Sequence, residues 1–326
     1  MSRLLNAARH ALGASSLFLA ALTSAHAAYP EQPVSLVVPY AAGGPVDVVA
    51  RILGKELGEI LGQSVVVENR GGAGGNIGTS AVARAKPDGY TLLINTPAFV
   101  ITPLVMEKVP YDPRTDFTPL TQVGFVPALL LTGTDSRFDS VAALIREGKN
   151  SPQGLTFGSP GTGTSLHMAG ELFSKITGMP ATHIPYKGSA PAVTDLIGGR
   201  LDFLFDSFVG AYPQVKAGNL RGLAVTTTER YKAAPDIPPL SESGAPGYEF
   251  ALWYGIFAPA GMPDDLRNQL GNALSRVLQH PETRQQLQAT GLEIVGNSPD
   301  EFSRQIVTET DKWKALVDSV GLQISR

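Results

Sequence analysis

The chain has 326 residues, 17% of them charged and 43% hydrophobic, with a formal charge of −3 and no cysteine. That length accommodates two domains with a substantial core. The acidic balance argues against a nucleic-acid partner, and the lack of cysteine excludes disulfides, thiolate catalysis and a lipid-modified N-terminal cysteine.

In chain order, Arg3, Arg9 and His10 precede an apolar stretch from Ala11 to Ala25, and Ala25-His26-Ala27 offers small residues where a signal peptidase reads. Residues 1–28 are therefore expected to be a secretory signal peptide. Its removal takes Arg3 and Arg9 and changes the formal charge from −3 to −5. No other stretch approaches the ~20 apolar residues of a spanning helix, so the expected location is a Gram-negative periplasm.

Val34, Leu36, Val37 and Val38 form an apolar, β-branched run that reads as a buried strand ending at Pro39. A loop with Gly43-Gly44 follows, and Pro45 suits the first position of a helix. Apolar residues at 46, 49, 53, 57, 60 and 61 then make one helical face. Strand, glycine loop and helix together offer free backbone N–H groups at the positive end of a helix dipole, an arrangement that holds a carboxylate.

Ser64–Glu68 reads as a strand. The glycine-dense Asn69–Gly78 lacks the Lys-Ser/Thr of a phosphate loop, and Ile77 stands where the third glycine of a dinucleotide loop would be, so it reads as a loop entering a helix at about 77–85. Pro87-Asp88-Gly89 is a turn, Tyr90–Asn95 a strand, and Thr96-Pro97 opens another helix with Thr96 as its N-cap. Leu120–Leu131, broken by Pro127, is taken as a long crossing segment into a second domain.

Asp139 or Ser140 caps a helix at 141–149, and Leu155–Gly158 is a strand. The opening pattern then recurs in Gly158-Ser-Pro-Gly-Thr-Gly-Thr-Ser-Leu-His167, followed by a helix with Leu166, Ala169, Leu172, Phe173 and Ile176 on one face. A third strand–loop–helix runs from His183 through Tyr186-Lys187-Gly188 to 190–197. Leu201–Asp206 is a strand ending in an acid, Arg221–Thr227 another, and Phe250–Ala258 a long return crossing. Helices are expected at 263–278, 281–289 and 299–320, the last opened by the capping box Ser298-Pro299-Asp300-Glu301. Strands alternating with helices argue a parallel or mixed sheet.

The residues give little support to catalysis or metal binding. After removal of residues 1–28 the histidines are His167, His183 and His280, with no metal-ligand spacing and no Gly-x-Ser-x-Gly elbow. Ser165 and His167 would point about 200° apart at a helix start, so they make a poor nucleophile–base pair. An exported hydrolase using Ser159 or Ser165 lacks a base. The same loop reads better as a ligand cradle: Ser159, Gly161, Thr162, Gly163, Thr164 and Ser165 offer hydroxyls and N–H groups without a lysine or arginine, which suits a small carboxylate held and released. His167 is more simply a helix-start ligand contact or cap. Asp206 could accept from a ligand amine, hydroxyl or water, or cap the next helix. Asp47 sits in the first helical turn as an acid favoured by the dipole, or lines the site. Thr96 is open between cap and ligand contact.

Several stretches carry a family resemblance: Val37–Asp47, Val67–Gly75, Pro87–Leu93, Tyr111-Asp112 with Asp116-Phe117, and Pro185–Gly188. Together they resemble the Bug family, the tctC-type extracytoplasmic solute receptors of tripartite tricarboxylate transporters, across essentially the whole mature chain. The resemblance implies an α/β type II periplasmic-binding-protein fold, two α/β lobes joined by two crossing strands. Lobe 1 would comprise 29–127 plus 253–326, and lobe 2 128–252. It implies a small carboxylate ligand in the interlobe cleft, among tri- and dicarboxylates, acidic amino acids and aromatic acids. No enzyme activity and no cofactor are implied. The partner would be a membrane permease or, alternatively, a sensor kinase, and the protein a monomer.

The family's ligand loops fall on Tyr40, Ala42, Gly43, Gly44 and neighbouring Asp47 in the first lobe. In the second they fall on Ser159, Gly161, Thr162, Thr164, Ser165 and His167, with Thr96 and Asp206 lining the cleft. Val46 replaces the small polar residue usual in the family, which leans the ligand toward a mono- or dicarboxylate with an apolar part.

Overall fold

The computed structural model describes residues 29–106 and 108–320; the expected signal peptide, residues 1–28, lies outside them. The first elements are β1 (Val34–Val38), α1 (Pro45–Leu61), β2 (Val65–Asn69), a 3-10 turn (Ala73–Gly75), α2 (Asn76–Ala83), β3 (Thr91–Asn95) and α3 (Ala98–Val105). The 17-residue strand β4 (Phe117–Gly133) follows. After it come α4 (Val141–Asn150), β5 (Leu155–Ser159), α5 (Ser165–Thr177), β6 (Ala181–Pro185) and α6 (Ser189–Ile197). Next are β7 (Phe203–Ser207), α7 (Phe208–Lys216), β8 (Leu220–Val225) and β9 (Ala251–Pro259). The chain closes with α8 (Asp264–Gln279), α9 (Pro281–Ala289), β10 (Glu293–Ile294) and α10 (Pro299–Val320).

The strands hydrogen-bond in the order β2-β1-β3-β9-β4-β7-β5-β6, with β8 and β10 also paired to β4. β2, β1 and β3 run parallel at one end, and β7, β5 and β6 run parallel at the other. Between them β4 and β9 are antiparallel partners from Phe117↔Pro259 to Pro127↔Ala251. From Ala128 onward β4 pairs with β7 and β8 instead. Pro127 therefore does not break the strand; it stands at the changeover of partners, where a missing N–H is tolerated.

Side-chain patterning accounts for the layers. α1 buries Val46, Val49, Ala50, Leu53 and Leu57, each large one stabilising the fold by about 1.5–3 kcal/mol. One aromatic cluster packs Phe99, Tyr111, Phe117 and Phe257 beside Trp253 and Phe302. A second gathers Phe157, Phe173, Phe203, Phe205 and Tyr248, and the Tyr248 hydroxyl donates to the carbonyl of Ala169 at 2.8 Å.

Several details depart from the sequence reading. The helix expected at 77–85 starts at Asn76 and ends at Ala83. The helix that Asp206 was read as able to cap is α7; its N-cap is Ser207, with no side-chain cap, and Pro213 lies inside it, where proline ordinarily removes an interior hydrogen bond. Two-residue β10 is too short for a periodic signal. Ser140 caps α4 through its hydroxyl, which accepts from Ala143 N at 3.2 Å. The capping box of α10 forms: Glu301 Oε2 accepts from Ser298 N at 2.9 Å, and Ser298 Oγ accepts from Glu301 N at 3.3 Å.

Candidate functional site

The loop from β1 to α1 is shaped by Asp47. Its Oδ2 accepts from Gly43 N at 2.8 Å and from Arg51 Nε at 2.9 Å, and its Oδ1 accepts from Asn69 Nδ2 at 3.0 Å. Asp47 is only 2% exposed. Burial alone would raise its pKa, but the hydrogen bonds from Arg51, Gly43 and Asn69 hold it below the ordinary value. Asp47 is thus a brace that folds the glycine loop back onto α1, and the Gly43 N–H is engaged by it. Gly44 is the N-cap residue and makes no side-chain cap, so the first-turn N–H groups of α1 have no intrahelical partner. Ala42 stands exposed on the rim.

The loop from β5 to α5 is built the same way from different parts. Thr164 is the N-cap of α5; its Oγ1 accepts from His167 N at 3.3 Å and donates to the Gly161 carbonyl at 2.8 Å. His167 Nδ1 accepts from Gly163 N at 3.0 Å, which leaves Nε2 to face Glu171 Oε1 at 3.3 Å. Gly163 has φ +78, a left-handed conformation that few other residues tolerate. Behind the loop, Ser159 Oγ accepts from Gly161 N at 3.1 Å and lies 2.6 Å from His183 Nε2. The His167 and His183 rings stack at 3.7 Å between centroids. Burial pushes His183 down to about 3, with His167 adding to the effect.

The two loops meet at a chain of hydroxyls. Ser165 Oγ lies 3.2 Å from Thr96 Oγ1, which lies 3.1 Å from the Tyr40 hydroxyl, and Tyr40 donates to Asn95 Oδ1 at 3.0 Å. With Tyr40 donating to Asn95, its oxygen accepts from Thr96, and Thr96 accepts from Ser165. Asn95 Nδ2 donates to Thr79 Oγ1 at 2.9 Å, and that hydroxyl donates to the Gly75 carbonyl at 2.8 Å. Burial pushes the Tyr40 hydroxyl up to about 12, against the lowering effect of its Thr96 hydrogen bond, so it keeps its proton. Thr102 Oγ1 adds a second link by donating to the Gly163 carbonyl at 2.8 Å. Nearby, a Cβ on Gly74 would stand 2.7 Å from the Thr162 carbonyl oxygen, so glycine permits the close approach of the Ala73–Gly75 turn to the second loop.

Asp206 lies at the end of β7, 1% exposed. Its Oδ1 accepts from Ser189 Oγ and from Ser207 N, both at 2.8 Å. Burial pushes it up to about 6, opposed by those two hydrogen bonds. Ser207 Oγ lies 3.2 Å from the Tyr254 hydroxyl on β9.

Of the residues picked out in sequence, Tyr40, Thr96 and Ser165 come into direct contact. Gly161, Thr162 and Thr164 shape the second loop. Asp47, Ser159 and His167 brace the loops from behind. Thr96 is not a side-chain cap: Pro97 occupies the N-cap position of α3, and the Thr96 hydroxyl turns to Tyr40 and Ser165 instead. Ser165 and His167 form no pair, as their rotation about α5 anticipated. Asn95, Thr79, Asn69, Ser189 and His183 carry no local signal in sequence, since each joins the site through a partner at least 16 residues away.

Residues 49–322 match the model of the tripartite tricarboxylate transporter family receptor, TctC. The chain belongs to the TctC family. The structure of BugD, a periplasmic binding protein, is 35% identical and superposes with a TM-score of 0.86 over 90% of this chain and 99% of BugD. Rpa4515 of R. palustris, solved with adipate, is 37% identical with a TM-score of 0.86, covering 90% of this chain and 99% of its own. MatC (Rpa3494) of Rhodopseudomonas palustris, solved with bound malate, is 30% identical with a TM-score of 0.84 over 89% of this chain and 100% of its own. This TctC-family chain therefore has the α/β fold of the periplasmic binding proteins and is a solute-binding protein, not an enzyme. Among the described residues no helix is long and apolar enough to cross a membrane.

Proposed function

We propose that this TctC-family protein captures a small organic carboxylate between its two glycine loops and delivers it to the membrane permease of a tripartite tricarboxylate transporter. The mature protein would work in the periplasm as a monomer after loss of residues 1–28. Two lobes, 29–127 with 253–326 and 128–252, would close about β4 and β9.

The observation that carries this reading is the Thr96–Ser165 contact at 3.2 Å. It brings the starts of α3 and α5 together beside Tyr40, at the start of the loop that leads from β1 to α1. Two helix N-termini then face neutral donors, which favours an anion without fixing it by a full opposite charge. An entering carboxylate would replace the Thr96–Ser165 hydrogen bond, each hydroxyl turning its proton to a ligand oxygen while N–H groups of the loops complete the shell. Adipate in Rpa4515 and malate in MatC support a dicarboxylate of four to six carbons.

A thermal-shift screen tests this on mature protein unfolded and refolded to strip bound solute, with succinate, malate, aspartate, glutarate, adipate and citrate as probes. A ligand at 100 times its Kd stabilises by about 2.7 kcal/mol, a shift of a few degrees. Silence with every carboxylate would overturn the reading.

A further inference from the structure

Two imidazoles stand behind the second glycine loop, one holding it through a ring nitrogen and the other through Ser159. His167 on α5 and His183 on β6 stack with centroids 3.7 Å apart and planes 20° apart. His183 Nε2 lies 2.6 Å from Ser159 Oγ, which accepts from Gly161 N at 3.1 Å. His167 Nδ1 accepts from the buried N–H of Gly163 at 3.0 Å. A nitrogen that accepts carries no proton, so the neutral His167 ring holds its proton on Nε2, 3.3 Å from Glu171 Oε1. The Gly163 carbonyl accepts from Thr102 Oγ1 at 2.8 Å, so both backbone groups of Gly163 are taken inside the protein.

The surroundings decide which ring takes a proton. Facing the pair, β5 contributes the Phe157 ring and the Ser159 hydroxyl, neither of which ionises in the range of histidine. α5 contributes the Glu171 carboxyl beside His167, and each imidazole faces the other across the stack. Burial pushes His183 down to about 3, with His167 adding to the effect. Glu171 stands ready to pair with an imidazolium at His167. A proton entering this cluster therefore goes to His167, at Nδ1, since Nε2 already carries one. Nδ1 then becomes a donor, and the buried Gly163 N–H is left facing it without an acceptor, which is costly.

We propose that His167 positions the second glycine loop for its ligand only while Nδ1 is unprotonated, so that acid weakens carboxylate binding through this one side chain. The inference rests on the carboxylate reading above and adds a proton linkage to it. Ligand and proton oppose each other although they occupy different atoms, because the ligand favours the loop shape that the proton disrupts.

Nitrogen-15 NMR of stripped, ligand-free protein reads the loop directly. Between about pH 7.5 and pH 5 the His167 ring is expected to gain a proton at Nδ1, and the Gly163 amide to lose its protection from solvent exchange with the same midpoint. A Gly163 amide that stays protected once His167 is protonated overturns the proposal, as does a His167 ring that gains no proton over this range. Calorimetric titration with malate, aspartate and adipate then compares wild type with His167→Asn, whose Oδ1 can accept from Gly163 N but takes up no proton. The loss of affinity on going from about pH 7.5 to pH 5 is expected to be at least about five-fold greater in wild type, since titration of the ligand is common to both proteins. Equal losses overturn the proposal. Absence of binding by all three at the higher pH would refute the carboxylate reading, while the exchange measurement still decides whether His167 governs the loop.

Discussion

Thr96 Oγ1 and Ser165 Oγ lie 3.2 Å apart although 69 residues separate them in the chain. Ser165 is the first residue of α5, and Thr96 stands between β3 and the N-cap of α3, so the contact joins the second glycine loop's helix to the β3–α3 junction beside Tyr40. Both side chains are buried, so the hydrogen bond is made away from water. A buried hydrogen bond of this kind contributes about 0.5–1.5 kcal/mol, enough to hold the loops together yet small enough for a carboxylate to displace.

The first prediction concerns that coupling. Thr96→Val and Ser165→Ala are each expected to destabilise the stripped protein by about 1 kcal/mol, with a double-mutant coupling of similar size. Urea unfolding of the four proteins reads it. Strict additivity would show that the two hydroxyls do not interact.

A second prediction concerns the brace under the first loop. Asp47 receives three donors, one of them the Arg51 guanidinium. Asp47→Ala should cost about 2–3 kcal/mol at neutral pH, as expected for charge-assisted bonds left with unpaired donors. The folded-state pKa of Asp47 is lowered, so its contribution is present above the unfolded value and is lost as pH falls through the folded one. The gap between variant and wild type should therefore narrow in acid. A gap that stays constant to pH 3 would contradict the assignment.

Asp206 should behave in the opposite sense. Its folded-state pKa, about 6, lies above the ordinary 3.8, so the proton it holds stabilises the fold at low pH and that stability is lost as pH rises from about 4 through 6. A shift of about two units corresponds to about 3 kcal/mol. Asp206→Asn should gain about that much relative to wild type between pH 4 and pH 7.5 in ligand-free protein. Ser189, Ser207 and the Tyr254 hydroxyl beyond it keep their protons over this range, Tyr254 being pushed well up by burial. A stability difference independent of pH would remove the buried charge from the account.

A fourth prediction uses His183, which burial and the stacked His167 ring push down to about 3. Its ring should remain neutral from pH 8 to pH 4.5, whereas a free histidine titrates near 6.5. Because the folded pKa is lowered, the native state gives up stability as pH falls below the unfolded value. Two-dimensional NMR of labelled histidines checks this directly, and a His183 titration with a midpoint near 6 would contradict it.

How much of this was legible in the sequence depends on the range of the forces involved. The strand–loop–helix units were readable because β1, α1, β5 and α5 are specified by local periodicity, Pro45 and the glycines. The capping box at Ser298–Glu301 was readable for the same reason. A helix after Asp206 was readable only as one this acid could cap, and its bounds were not, since a local rule reads Pro213 as a breaker. The site itself was only half visible. Tyr40, Thr96 and Ser165 could be named one by one, but their contact is tertiary. Asp47 looked like a helix-start acid favoured by the dipole, and its grip on Asn69 belongs to the pairing of β1 with β2. The role of His167 as acceptor for Gly163 N depends on a loop conformation that no spacing rule encodes.

The central claim is that a carboxylate is held where Thr96 and Ser165 meet. The most direct measurement is calorimetric titration of the tightest carboxylate from the screen into stripped wild type, Ser165→Ala and Thr96→Val, each shown to be folded by circular dichroism. Wild type should bind, and each variant should lose about ten-fold or more in affinity, the loss expected when one hydrogen bond to a charged group is removed. Equal affinity in all three folded proteins would contradict the claim and place the carboxylate elsewhere.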